Sequence, residues 1–297
     1  MLRKVTVIGG AGFIGSHLVE LLIENDFFPV VIDNFSTGKR SNLPSTGIDI
    51  RDYDITEDPK RIAAMIKGSE CVFHLAALTS VQESLDHPDR YTKVNVVGTA
   101  NVLEACRIAG VKKLVFSSTS AVYGNTATFP TAETQSPDPI SAYALSKLVG
   151  ETYAKYYSET TGVTVTCLRY FNVFGERTNP KSSYRSVIPI FLEQFRNEKP
   201  LTITNDGLQQ RDFIYVKDVA LANLKAMNHN RRFDIINIGS GKTWSVNQIA
   251  DMISNRRENI GFRLEPKISL ADVSQSNAVL GWTATTDLEA WIKGQIA

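Results

Sequence analysis

Tyr143 and Lys147 stand four positions apart in the stretch Tyr143-Ala144-Leu145-Ser146-Lys147. On a helix, residues at i and i+4 share one face, which makes a phenol and an ammonium neighbours. A free phenol has a pKa of about 10 and is a poor base at neutral pH. A nearby positive charge favours the phenolate and lowers that value. Such a pair can exchange a proton with an alcohol while a hydride leaves the same carbon for a redox cofactor. The same spacing also occurs in ordinary pairs on helix surfaces, so the reading depends on what surrounds it. Upstream, Ser117-Ser118-Thr119-Ser120-Ala121-Val122-Tyr123 sets a run of hydroxyls directly after a β-rich segment. Ligands of open α/β sheets bind beyond the carboxyl ends of the strands, so Thr119 is well placed to hydrogen-bond a ligand oxygen.

A second constellation supplies the cofactor. The candidate strand at residues 5–8 runs into Gly9-Gly10-Ala11-Gly12-Phe13-Ile14-Gly15, and an amphipathic stretch follows. Gly9, Gly12 and Gly15 give the spacing in which one glycine permits a tight turn, one lets a pyrophosphate approach the backbone, and one lets helix and strand pack closely. The N-terminus of the following helix then aims unpaired N–H groups and its dipole at the phosphates. Asp33 closes the second candidate strand 18 positions after Gly15, where a carboxylate can bind the adenosine ribose hydroxyls. A carboxylate there repels a 2′-phosphate, which favours NAD over NADP. Lys39 and Arg40 are the nearby cations able to hold such a phosphate.

These groups need a scaffold. Residues 5–8, 29–33, 71–75, 114–117 and 163–168 read as strands. Residues 13–24, 59–67, 91–109 and 142–161 have helical periodicity. Strand and helix in alternation imply a parallel sheet covered on both faces, and right-handed crossovers make it a doubly wound Rossmann-type α/β domain. We expect this cofactor domain to span residues 1–174. A smaller, mixed α/β substrate domain is expected over 175–297, with a possible return to the main sheet near 234–238.

Composition sets the outer limits. With 43% hydrophobic and 21% charged residues, the chain is that of an ordinary globular protein. A formal net charge of +1 provides no global field for nucleic acid or membrane surfaces, so neither is an expected partner. The opening run to Ile8 is cut off by glycines and suits a buried strand better than a signal peptide. No apolar stretch approaches the ~20 residues of a membrane span. Cys71, Cys106 and Cys167 are scattered without metal-ligand spacing, so no metal is expected. They read as reduced core thiols of a cytoplasmic protein.

Taken together, these motifs resemble the extended short-chain dehydrogenases and, within them, the UDP-hexose 4-epimerases. The resemblance covers nearly the whole chain, with Ile8 where the family's glycine motif usually begins with threonine. It implies cofactor contacts at Gly9, Gly12, Phe13, Ile14, Gly15, Asp33, Asn34, Ser36 and Gly38, at Asp54 and Ile55 near the adenine, and at Leu75, Ala76, Ala77, Asn95, Ser117, Tyr143, Lys147 and Tyr170. Without it, His74 would read as a core histidine and Asn95 as a helix-start residue. On the substrate side it implies Ser80, Thr119, Tyr143, Asn172, Val187 and Arg211, the last as the planar, always charged donor to the diphosphate. The bland alternative for Arg211 is a surface pair with Asp212. The family's R-x-G-D element is altered here to Phe262-Arg263-Leu264-Glu265. Arg263 and Glu265 stand in place of its arginine and ribose-binding aspartate, which leaves the nucleotide open to forms other than UDP.

The hydroxyl motif sorts the related chemistries. Dehydratases and decarboxylases of this resemblance place Asp-Glu or Ser-Glu after the threonine, because a second step needs another acid or base. Here Ser120-Ala121 follows Thr119, and Ala121 exchanges no proton. Epimerisation at C4 needs no such group, so Thr119, Tyr143 and Lys147 are the expected catalytic residues, with NAD as cofactor and a UDP-sugar as substrate. Another sugar-nucleotide-modifying oxidoreductase (a net dehydrogenase, reductase or dehydratase) and a non-catalytic NAD-binding regulator are the alternatives. The resemblance further implies a homodimer through the helices at 95–109 and 142–161, with Val149, Tyr153 and Tyr157 supplying apolar surface. It also implies that the residue three positions before Asp272, which is Ser269, lines the pocket near C2 of the hexose. A small residue there admits an N-acetyl group.

Overall fold

The computed structural model describes residues 3–178, 186–262 and 266–296. Strands β1 (Arg3–Ile8), β2 (Phe27–Asp33), β3 (Asp49–Asp52), β4 (Val72–His74), β5 (Lys113–Thr119) and β6 (Thr164–Tyr170) alternate with helices α1 (Phe13–Glu24), α2 (Pro59–Ile66), α3 (Val81–Asp86), α4 (Pro88–Tyr91), α5 (Gly98–Ala109) and α6 (Ala142–Thr161). A seventh strand, Phe233–Ile238, joins β6, and the spatial order is that strand, then β6, β5, β4, β1, β2 and β3. Every neighbouring pair is parallel. The strand order reverses between β1 and β4, and the carboxyl ends of those two strands border the crevice where such sheets take their ligand.

Both faces of the sheet are dry, so the strands read as nearly continuous apolar runs. Val5, Val7, Phe73, Val115 and Leu168 pack on one side with Leu18 and Leu22 of α1 and Val219 of the helix Val216–Met227. Ile8, Ile32, Val72, Phe116, Val165 and Cys167 pack on the other with α2, α5 and α6. Each such side chain contributes about 1.5–3 kcal/mol on burial. All three cysteines are buried and free.

Local signals explain the helix ends that matter for the site. Ser141 caps α6 by accepting from the Ala144 amide at 3.1 Å, and Gly162 in the left-handed region at φ 75° stops it. Asp58 accepts from Lys60 N at 2.9 Å ahead of Pro59, the first residue of α2. The stretch expected as one helix over 91–109 is interrupted. A π-helical segment, Thr92–Val97, separates α4 from α5 and carries Asn95. Strand β3 is absent from the sequence-based reading because its Asp49-Ile50-Arg51-Asp52 sequence holds one apolar residue among three charged ones at the sheet edge, too little for a strand pattern.

Beyond β6 the elements are short. Asn172–Phe174 pairs with Phe213–Tyr215, and Leu201–Ile203 pairs with Arg257–Asn259. Gln210–Arg211 lies between Trp244–Ser245 and Ile268–Ser269. A separate core of Ile188, Phe191, Leu201, Ile249, Ile253 and Ile292 holds them together.

Candidate active site

The glycine turn shows why three glycines are needed. Gly9 has φ +82°, and a Cβ on it would lie 2.5 Å from Ala76 N. A Cβ on Gly15 would lie 2.2 Å from the carbonyl oxygen of Gly9, so this glycine lets α1 seat against the turn. Gly12 is different. A Cβ there meets one atom, Gly9 O, at a tight 3.2 Å, so the position is far less crowded than Gly9 or Gly15 and leaves the helix start approachable from outside. Gly12 is also the N-cap of α1, and no side chain caps that helix. An open approach to uncapped amides is the cradle a pyrophosphate requires, so the residues present fit a dinucleotide. Phe13 and Ile14 open the helix beside it.

Asp33 sits at the end of β2 and is 8% exposed. Its Oδ2 accepts from Ala11 N at 2.9 Å and its Oδ1 from Phe35 N at 2.8 Å. Burial pushes its pKa up, and the two amides oppose that shift. Each oxygen keeps a second lone pair for a hydroxyl. Next to it, Asn34 Nδ2 donates to Asp54 Oδ2 at 2.8 Å, and Ser36 Oγ donates to Asn34 Oδ1 at 2.7 Å. The Gly38–Lys39 backbone folds over the turn, with Lys39 N donating to Ala11 O at 3.1 Å. The Ile55 side chain lies in the core and its carbonyl accepts from Asn101 Nδ2 at 2.9 Å.

On the other border, Leu75 N and Ala76 N both donate to Ile8 O, which brings the Leu75–Ala77 segment against the glycine turn. Asn95 is 1% exposed, and protein groups occupy its amide: Leu78 N and Leu78 O on one side, Ser146 Oγ at 2.9 Å on the other. It fixes the 77–80 loop to α6. Ser80 caps α3 by accepting from Glu83 N. His74 is fully buried, with Nε2 3.0 Å from Thr99 Oγ1, and burial pushes its pKa down to about 3.

Thr119 is the last residue of β5, and its Oγ1 accepts from Ala121 N at 3.2 Å. Ser117 precedes it on the same strand, and Tyr170 ends β6, where its hydroxyl donates to Asn223 Oδ1 at 2.8 Å. Tyr143 lies in the first turn of α6, half-buried, its ring edge-on to that of Tyr91 at 6.4 Å. Lys147 follows one turn later and is 4% exposed, with Nζ 4.6 Å from the centroid of the Phe116 ring. Burial pushes its ammonium down to about 8, with the Glu151 carboxylate opposing. The helix pair is therefore no surface pair.

Three substrate-side candidates meet through backbone pairing. Arg211 and Ser269 are register partners. Asn172 Nδ2 donates to Asp212 O at 2.9 Å, and Asp212 N donates to Ser269 O at 2.7 Å. Asp212 does not make the surface pair that was the bland reading of Arg211. It is fully buried and accepts from Ser240 N, Ser240 Oγ, Gly241 N and Ala271 N. It ties the Arg211 strand to the segment after Ser269, a role that sequence alone does not reveal. Val187 begins the helix Val187–Arg196. Arg263 and Glu265 lie outside the described residues.

A doubly wound sheet with this glycine turn at its switch point, and a buried tyrosine–lysine helix beside it, is the architecture of the short-chain dehydrogenase class. A profile of the NAD dependent epimerase/dehydratase family matches residues 5–239, and the chain belongs to that family of enzymes, with NAD as cofactor. In sequence it is 33% identical to a UDP-glucose 4-epimerase from Corynebacterium glutamicum, over 98% of this chain and 94% of the relative. In structure it is similar to a UDP-glucose 4-epimerase from Thermotoga maritima solved with UDP-glucose, with a TM-score of 0.93, 36% identity, and 99% and 97% of the two chains covered. It is also similar to a UDP-N-acetylglucosamine 4-epimerase from Methanobrevibacter ruminantium in complex with UDP-N-acetylmuramic acid, with a TM-score of 0.92, 36% identity and the same coverage. Among the described residues, no helix is long and apolar enough to cross a membrane.

Proposed function

We propose that this enzyme interconverts C4 epimers of UDP-hexoses, acting on UDP-glucose and UDP-galactose and on their N-acetylated counterparts. What supports this reading is that Thr119 ends β5 and that α6, which carries Tyr143 and the buried Lys147, packs against that strand, with Ala121 in place of a further acid or base. Relatives named for UDP-glucose and UDP-N-acetylglucosamine 4-epimerisation support it.

Thr119 hydrogen-bonds the C4 oxygen and fixes it beside Tyr143. Tyr143 takes the hydroxyl proton as the C4 ketone forms and returns it when the opposite epimer is made. Lys147, cationic and buried, favours the phenolate and holds the nicotinamide ribose. The glycine turn, Asp33 and Lys147 would hold NAD, which would supply the reversible hydride acceptor that oxidation and re-reduction at C4 require. Arg211 and Asn172 hold the diphosphate throughout, so the 4-keto sugar turns over without leaving. Asp33, Asn34 and Ser36 hold the adenosine ribose, and Asp54 lies near the adenine. We assign the cofactor to residues 1–174 and most of the sugar-nucleotide contacts to 175–297, and place the enzyme in the cytoplasm.

The test is incubation with a panel of UDP-sugars, following product epimers by chromatography and the reduced-nicotinamide absorbance together. Epimer formed without net NADH supports the proposal. Net NADH release identifies a dehydrogenase instead, and NAD binding without turnover identifies a regulator.

A homodimer belongs to the same reading. Val97, Ile108, Leu145, Tyr153 and Tyr156 are exposed on the π-helical segment, α5 and α6, a surface suited to pairing with a second copy. Tyr157 is instead half-buried within the chain, its hydroxyl 3.3 Å from Glu104 Oε2. Light scattering at micromolar concentration should give twice the chain mass, and a monomeric mass overturns the assignment.

A further inference from the structure

Beneath Lys147 lies an ion pair from which water is excluded. Glu151, one turn further along α6, and Arg169 of β6 are 3% and 2% exposed. Arg169 Nη2 donates to Glu151 Oε2 at 2.7 Å, and Arg169 Nε donates to Oε1 at 2.9 Å. Ser118 Oγ donates to the same Oε1 at 2.5 Å. The guanidinium carbon lies 4.7 Å from the centroid of the Tyr123 ring, and the Tyr123 hydroxyl donates to Asn237 Oδ1 at 2.7 Å. The carboxylate is thus locked from β5 and β6, and the guanidinium from α6 and the Tyr123 ring. A buried pair of this kind adds little stability over apolar side chains of equal volume, so its presence calls for another reason.

That reason emerges from the charges around Lys147. The ionisable groups that act on it are Glu151 of α6, His74 of β4 and Cys167 of β6. The elements packed against α6 also carry Lys93 of the π-helical segment, Glu104, Cys106 and Arg107 of α5, Lys113 of β5, Arg169 of β6, Glu83 and Asp86 of α3, Asp89, Arg90 and Tyr91 of α4, Tyr123, and Asp234 of the strand Phe233–Ile238. At neutral pH His74 and Cys167 carry no charge. Burial holds His74 down at about 3 and pushes Tyr91 up to about 12, and it raises the Cys106, Cys167 and Tyr123 groups as well. Glu83 is paired with Arg90. Of the groups that act on Lys147, Glu151 is the one that carries a charge, and its partner Arg169 does not give up its proton. Without the carboxylate, the burial of Lys147 would act with no anion beside it to oppose the loss of its proton.

We propose that Glu151, locked by Ser118 and Arg169, is a positioning residue that keeps Lys147 cationic and in place behind Tyr143. The proposal rests on the roles given above to Tyr143 and Lys147. Lys147 already sits near about 8, and Glu151 is the largest influence opposing that depression.

The experiment uses the full-length NAD-loaded enzyme and the pH profile of kcat with UDP-galactose. Glu151→Gln keeps shape and deletes charge. Its alkaline limb is expected to move down by about one pH unit, with kcat at pH about 8 lowered about fivefold. Arg169→Met leaves Glu151 facing Lys147 alone, and its limb is expected to move up. The double variant Glu151→Gln, Arg169→Met removes both charges and should restore the limb toward wild type. A merely structural role carries no such alternation of sign and makes the double variant the worst of the three. NMR titration of lysine-labelled enzyme without substrate reads Lys147 directly, and its midpoint should follow the same order. If either single variant is too unstable to assay, the other and the double variant still carry the sign test. An unmoved limb in folded Glu151→Gln, a downward shift in Arg169→Met, or a double variant no better than Glu151→Gln overturns the proposal. Lys147→Met separates the two levels. Full turnover in that variant sinks the reading of the site itself. An inactive Lys147→Met beside an unshifted Glu151→Gln sinks this inference alone.

Discussion

The two walls of the cleft are built from different material. On the cofactor wall, Gly9, Gly12, Gly15 and Asp33 belong to one continuous strand-helix-strand unit, and most of their work is done by backbone. On the proposed substrate wall, Asn172, Arg211 and Ser269 come from short strands that pair only because the chain returns. Asn172 is bonded across 40 positions to Asp212, and Asp212 across 59 to Ala271. A backbone-built cradle serves whatever sugar is offered, because it never touches the sugar. A wall of side chains on short strands can change its substrate by a single residue. The cofactor wall should therefore govern whether chemistry occurs, and the substrate wall which sugar receives it.

The largest effect tests the boundary between the walls. Tyr143→Phe keeps the packing against Tyr91 and deletes the proton carrier, so kcat should fall by at least ~10³-fold for every sugar, within the range expected for a lost general acid-base group. NAD and UDP-sugar binding, measured by calorimetry, should change little. Full activity in the folded variant refutes the mechanism.

Arg211→Leu comes next. Losing a charged donor to the diphosphate is worth ~1.5–3 kcal/mol, so KM should rise about 10- to 100-fold for all UDP-sugars alike. An equal fall in kcat with KM unchanged would place Arg211 on the wrong wall.

Ser269→Tyr should discriminate. The added ring fills the space assigned to an acetamido group, and kcat/KM for the N-acetylated sugars should drop about tenfold or more against the plain hexoses. Equal losses for both sets, or a wild type that ignores N-acetylated sugars, would break the assignment of specificity to this residue.

The smallest effect lies on the cofactor wall and is one of stability. The His74 pKa is about 3 in the fold, below its ordinary value, so the unfolded chain binds a proton that the folded chain refuses. This contribution is intact above the unfolded pKa and is lost as pH falls toward the folded one. Between pH about 6 and about 4, wild-type unfolding free energy should fall by ~1.4 kcal/mol more per pH unit than that of His74→Asn. Parallel urea-unfolding slopes for the two proteins would show that His74 titrates normally.

The same contrast explains what the sequence reveals. The glycine turn, Asp33, Tyr143 and Lys147 are legible because short-range spacing on one element dictates their geometry. The limits of α1 and α6 follow from their apolar periods, and those of the inner strands from continuous apolar runs. The substrate wall is less legible. Nothing near Asp212 announces that it will collect four hydrogen bonds from two distant segments, and its neighbour Arg211 invites the wrong partner. Glu151 looks like a helix-surface acid until β6 brings Arg169 beneath it. The π-helical step at Thr92–Val97 is also hidden, because one extra residue in a turn leaves the composition unchanged.

The strand Phe233–Ile238 has a consequence for how the molecule comes into being. It covers β6 from a position far along the chain, after the helix Val216–Met227 and half of the substrate-side elements. During synthesis the ribosome releases β6 long before its neighbour exists, and the row of amides and carbonyls on that outer strand stays open meanwhile. Such a row is a template for any other extended chain. The nascent protein thus passes through an interval when its most complete half is also its most adhesive. That interval closes only when translation delivers the strand that seals the edge.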